Sequence, residues 1–263
     1  MTVTHRNNVA MKGQAGSPPM LFAHGYGCDQ NMWRWVTPAF EDDYQIVLFD
    51  HVGAGKSDLS AYSSEKYGKL EGYAADIVEI GRELGLKNAI FVGHSVSAMI
   101  GILAAEMAPD MFKSLVLVGP SPCYIDDDGY RGGFSREEIE ELLDSLDSNH
   151  FGWSMSMAPV IMGNPDRKEL GDELAESFCR TDPEIAKQFA RTTFLSDYRG
   201  ILESTEVPTL VLQCTDDVIA PLEVGSYVHS KMKNSTLVVM KATGHCPNLS
   251  APEETIAAIK AFL

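Results

Sequence analysis

Residues 89–101, AIFVGHSVSAMIG, carry a short block of continuously apolar, strand-type residues into Gly93-His94-Ser95-Val96-Ser97 and then into small residues with a helical pattern. A strand that turns directly into a helix is the repeating unit of an α/β sheet. Comparable apolar runs stand at 19–25 (PMLFAHG), 45–50 (QIVLFD), 114–119 (SLVLVG), 208–214 (PTLVLQC) and 235–240 (STLVVM). None alternates apolar with polar residues, so each reads as a parallel strand covered on both faces. Helical stretches separate them: in 70–86, Leu70, Tyr73, Ala74, Ile77, Ile80 and Leu84 recur at the spacing of one helix face. The pattern predicts a doubly wound, mostly parallel sheet, with THRNNVAMKG (4–13) adding an antiparallel hairpin at its first edge.

One interval breaks the rhythm. From Ser121 to Ser204 no strand-like run occurs, while SREEIEELLDSLDSNH, FGWSMSMAPVIMG, RKELGDELAESFC and DPEIAKQFARTTFLSDY all have helical patterns, with Ser135 and Asp182 placed as N-caps. The expected organisation is a core of 1–120 and 205–263, with a four-helix lid, 121–204, inserted after the sixth sheet strand. The lid holds Phe151, Trp153, Met155, Met157, Met162, Phe189 and Phe194, more large apolar residues than thin surface helices need. They either pack the lid onto the sheet or line a pocket beneath it.

Ser95 sits where chemistry is expected. In an open parallel sheet the functional crevice lies beyond the carboxyl ends of the strands, and Gly93-His94-Ser95-Val96-Ser97 differs from the sharp G-x-S-x-G strand-to-helix turn only in its last residue. A plain N-cap role would also explain a serine here. A serine hydroxyl needs a base and an acid to become a nucleophile. On this architecture they follow in the order acid, then histidine. LVLQCTDDVIAP ends a late strand in Asp216-Asp217, and VVMKATGHCPNLS follows the last strand with His245. Asp217 is the expected acid, with Asp216 as a turn residue; the alternative exchanges them. A surface-loop role is the alternative for His245. His24, in AHGYG, follows the first parallel strand, so the backbone amides of Tyr26 and Val96 are the expected oxyanion donors. His94, inside the turn, is expected to point away from the sheet end if Ser95 points toward it, and His5, His51, His150 and His229 have no partner pattern.

Composition narrows the alternatives. Twenty-one Lys and Arg against 37 Asp and Glu give a net charge of −16, which repels nucleic acid and anionic lipid headgroups. No signal-peptide pattern or stretch of about 20 apolar residues occurs, and a cytoplasmic location is expected. Five scattered cysteines without a C-x-x-C pair fit free thiols, and neither a metal nor another cofactor is expected. VGAGKSD (52–58) imitates a phosphate-binding loop, but the glycine required five positions before Gly55 is Asp50.

GHSVSAMIG, HGYGCDQNMW, VGPSPCYIDD, FCRTDPEIAKQFA, LQCTDDVIAP and GHCPNLSAPEE together resemble the RsbQ-like α/β-hydrolases, bacterial regulators of the general-stress factor sigma-B. The karrikin and strigolactone receptors of plants are in the same family. The likeness spans nearly the whole chain, lid included. It implies an α/β-hydrolase fold, a Ser95–His245–Asp217 triad with oxyanion amides at Tyr26 and Val96, and slow hydrolysis of a small hydrophobic ester or lactone. It also implies signalling through a PAS-domain phosphatase of the RsbP type. Phe134, Trp153, Met157, Phe194 and Cys246 are the candidates for substrate contact.

Overall fold

The computed structural model describes residues 2–263. In chain order its elements are α1 (Val3–Arg6), β1 (Ala10–Gly13), β2 (Pro19–Ala23), β3 (Gln45–Leu48), α2 (Leu70–Glu83), β4 (Ala89–His94), α3 (Val96–Met107), β5 (Phe112–Val118), α4 (Arg136–Ser148), α5 (His150–Met162), α6 (Lys168–Arg180), α7 (Pro183–Phe194), β6 (Thr209–Asp216), α8 (Leu222–Lys231), β7 (Ser235–Thr243), α9 (Pro247–Ser250) and α10 (Pro252–Phe262). The strands form one sheet in the order β1-β3-β2-β4-β5-β6-β7. β1 is antiparallel to β3, and the other neighbours are parallel.

The expected first-edge hairpin is half right. Val3–Arg6 is a helical turn capped by Thr2, and its Arg6 guanidinium reaches the buried Asp76 carboxylate of α2 at 2.7 Å. That ion pair holds the segment over α2 instead of beside the sheet. Five strands, not six, therefore precede the four helices α4–α7.

Side chains alternate between two apolar layers, as the pleat requires. Met20, Phe22, Ile90 and Val92 face one layer; Leu21, Ala23, Phe91 and Leu115 face the other, against α2 and α3. The first layer also contains Ile139, Leu143, Trp153, Phe178 and Phe194 from α4–α7, so the four helices bury their apolar faces in the same core as the sheet. Ser135 closes a reciprocal capping box with Glu138 at the start of α4, and Asp182 accepts from the amides of Glu184 and Ile185 at the start of α7. Among the described residues no helix is long and apolar enough to cross a membrane.

The strand order positions the site. β2 lies between β3 and β4, so the winding reverses there, and the loops leaving β2 and β4 open on either side of the switch point. The register pairs Ala23 with Gly93, which brings His24-Gly25-Tyr26 alongside His94-Ser95-Val96.

Candidate active site

Ser95 is in the helix N-cap position of α3, yet its side chain makes no capping bond. Its backbone, φ 57° and ψ −124°, lies where L-residues are strained. The turn that imposes this strain is held by close packing. A Cβ on Gly93 would approach the Ser97 carbonyl oxygen to 2.5 Å, and one on Gly25 would approach His94 Nδ1 to 2.5 Å and Ser95 Cβ to 3.3 Å. Glycine is required at both positions, and the loop after β2 can lie directly on the serine.

The released hydroxyl meets a histidine. Ser95 Oγ donates to His245 Nε2 at 2.7 Å, and His245 Nδ1 donates to Asp217 Oδ2 at 2.7 Å. The other Asp217 oxygen accepts from the amides of Ile219 and Ala220 at 2.8 and 3.1 Å, so the carboxylate is fixed from both sides. Ser95, His245 and Asp217 are 5%, 4% and 6% exposed, and their bonds gain strength from that low-dielectric setting. Asp216 is exposed at the end of β6, and its carbonyl accepts from the Gly244 amide at 2.9 Å, anchoring the His245 loop. Among the described residues, the amides of Tyr26 and Val96 donate to no protein acceptor.

Three other histidines brace this arrangement, and no sequence signal identified their roles. His94 Nε2 donates to the His245 carbonyl at 2.7 Å, and its ring lies 5.0 Å from that of His245 instead of pointing away from the site. Burial, reinforced by His245, pushes His94 down to about 3, so the ring is neutral. Ser97 Oγ donates to the His24 carbonyl at 2.5 Å and accepts from His51 Nε2 at 2.8 Å. His24 Nδ1 donates to the Gly25 carbonyl at 2.8 Å, while Nε2 accepts the His51 amide at 3.0 Å. Burial lowers both His24 and His51.

Above Ser95 lies a cavity of about 30 Å³, room for a water molecule or two. Trp153, Phe194 and Cys246 line it, together with Tyr26, Phe178 and Ile219. Phe134 and Met157 do not: Phe134 bridges to Ile125 in the loop before α4, and Met157 is half-buried against the lid core. Phe151 and Met155 face outward, 65% and 45% exposed. Tyr26 links floor to lid. Its ring meets Trp153, Phe178, Phe189 and Phe194 at centroid distances of 5.6–6.4 Å, and its hydroxyl donates to the Ala186 carbonyl in α7 at 3.2 Å.

The profile of the alpha/beta hydrolase family matches residues 20–258. The chain belongs to that family. It is 37% identical over 255 residues to a probable esterase of Oryza sativa subsp. japonica, covering 97% of this chain and 94% of that one. It is 38% identical over 248 residues to a strigolactone esterase of Arabidopsis thaliana, covering 94% and 92%. A solved hydrolase from Oleispira antarctica superposes with a TM-score of 0.96 at 41% identity, covering 99% of this chain and 95% of that chain. In this hydrolase the phosphate-loop lookalike is occupied by the protein's own anion: Asp50 Oδ2 accepts the Lys56 amide at 2.9 Å and Asn8 Nδ2 at 2.7 Å.

Proposed function

We propose that this hydrolase cleaves a small hydrophobic ester or lactone with Ser95 as nucleophile, His245 as general base and acid, and Asp217 as the group that orients the imidazole. The observation that carries the reading is the unbroken chain Ser95 Oγ–His245 Nε2–Asp217 at 2.7 Å per link. Ser95 Oγ attacks the carbonyl carbon as its proton passes to His245 Nε2. The oxygen that becomes negative lies toward the amides of Tyr26 and Val96, each such donor being worth about 3 kcal/mol of barrier. His245 then returns the proton to the departing alcohol oxygen, and a water molecule deprotonated by the same nitrogen releases the acid. In a lactone both products remain one molecule.

Ser95→Ala removes the attacking atom without touching the core. It is expected to abolish p-nitrophenyl acetate hydrolysis while circular dichroism and the thermal midpoint stay close to wild type; undiminished turnover would move the nucleophile elsewhere.

The biological role proposed for this chemistry is RsbQ-like: the hydrolase processes or senses a small compound in the cytoplasm and acts positively on sigma-B signalling through a PAS-domain phosphatase. Its likeness to proteins described as receptors, at 36% identity for the karrikin insensitive 2 receptor CA of Petunia hybrida, and the small volume of the cavity favour slow turnover coupled to a partner. A general carboxylesterase without a signalling role is the competing reading. Fast turnover of many simple esters, together with no capture of a PAS-domain phosphatase from the same genome with or without an ester ligand, would favour it.

A further inference from the structure

Three hydroxyl-bearing residues besides Ser95 line the cavity: Tyr26, Tyr124 and Thr193. The Tyr26 hydroxyl is taken by Ala186. The other two are not. Tyr124 and Thr193 are each 1% exposed, and neither hydroxyl has a hydrogen-bond partner among the described residues. Thr193 stands out because a helical threonine has an acceptor ready four residues back. Thr255, Ser154 and Ser226, in helices of this chain, all use theirs, bonding to Ala251, His150 and Leu222. The Thr193 hydroxyl, on α7, makes no such bond to the Phe189 carbonyl, and the residue lines the cavity instead. Tyr124 approaches from the opposite connection, after β5, with its ring 5.0 Å from that of Phe194, the residue next to Thr193. Its hydroxyl lies beside Ser95, whose Oγ donates to His245 and keeps lone pairs that can accept from a neighbouring hydroxyl, so Thr193 is the hydroxyl with no acceptor at hand.

A buried hydroxyl without a partner is unfavourable in the empty site and becomes favourable only when something arrives to bond it. A wall otherwise formed largely of aromatic, aliphatic and thiol groups that keeps two such hydroxyls discriminates strongly in favour of a ligand that satisfies them. We propose that Tyr124 and Thr193 form a second polar subsite that binds an oxygen of the substrate other than the scissile carbonyl. The preferred substrates are then compact apolar esters or lactones carrying an additional ether, ring or carbonyl oxygen. This rests on Ser95 being the nucleophile.

The test uses two isosteric pairs of p-nitrophenyl esters, butyrate with methoxyacetate and valerate with 3-methoxypropionate, in which one methylene is exchanged for an ether oxygen. Values of kcat/KM are divided by the rates in hydroxide, which removes the inductive effect of the ether. Wild type is expected to prefer the ether member in at least one pair. Thr193→Val, nearly the same shape, and Tyr124→Phe are each expected to lower that preference about three- to tenfold, and in Thr193→Val the hydrocarbon member is retained or improved because that orphan hydroxyl is gone. An equal fall for both members is structural damage and counts against the subsite. A normalised wild-type ratio of one in both pairs, or an unchanged ratio in either variant, overturns it. Ser95→Ala run alongside separates the two readings: a dead Ser95→Ala with an unchanged ratio sinks the subsite alone, whereas an active Ser95→Ala sinks the nucleophile.

Discussion

At the scale of single residues, Ser97 is the informative departure. It stands where the strand-to-helix turn usually has a second glycine, and from the sequence it reads as a small replacement needing only a packing adjustment. The structure gives its hydroxyl work: it joins the His24 carbonyl to His51 Nε2, tying the loop that carries Tyr26 to the turn that carries Ser95. Restoring the consensus with Ser97→Gly therefore strands a buried carbonyl and a buried ring nitrogen. The expected outcome is a loss of about 1–3 kcal/mol in urea denaturation and a lower kcat with little change in KM, because the looser loop weakens transition-state binding more than ground-state binding. A variant as stable and active as wild type would reduce the Ser97 hydroxyl to a spectator.

Among the elements, α7 joins the lid to the loop that carries Tyr26. Its Ala186 carbonyl takes the Tyr26 hydroxyl, and Phe189 and Phe194 pack against the same ring. Tyr26→Phe keeps the ring and the backbone amide and removes one hydrogen bond, worth about 0.5–1.5 kcal/mol. Amide exchange in α7 should quicken while β4 stays protected; equal exchange in both elements would show that the tyrosine hydroxyl does not restrain the lid. The four helices were legible as helices because their caps and periodicity are local. Which of their aromatics meet the cavity was not legible. Trp153, Met157 and Ile161 share one face of α5, yet Trp153 and Ile161 line the cavity and Met157 does not, since periodicity places a side chain on a face and only its tertiary packing decides what it meets.

Across the whole molecule, three buried imidazoles make stability depend on pH. Burial holds His24, His51 and His94 below the usual imidazole range. The folded protein keeps them neutral where the unfolded chain protonates them, so unfolding takes up protons and stability falls as pH drops below about 6.5. Each proton taken up contributes a slope of about 1.4 kcal/mol per pH unit, and His94 sustains its share down to about pH 3, where the folded ring also protonates. Urea denaturation at pH 7.0 and 5.5 should show lower stability at pH 5.5. His94→Gln, which retains a donor for the His245 carbonyl, should reduce the difference by the share of one proton. Equal stability of wild type at both values would contradict neutral burial of these rings.

Periodicity and spacing along the chain were enough to read the parallel strands, the turn at Ser95, the lid interval and the order serine, acid, histidine, because each is written in neighbouring residues or in a fixed chain order. The antiparallel edge was half legible: Ala10–Gly13 pairs as a strand, whereas Val3–Arg6 is drawn away by Asp76, 70 residues distant from Arg6. Only the tertiary structure decided that Asp217 rather than Asp216 faces His245, that His94 reaches a carbonyl 151 residues away, and that Tyr124 and Thr193 line the pocket while Phe134 does not. Those outcomes depend on which distant groups satisfy one another once water is excluded, a condition that exists only when the sheet, the lid and the loops between them have closed on the same small volume.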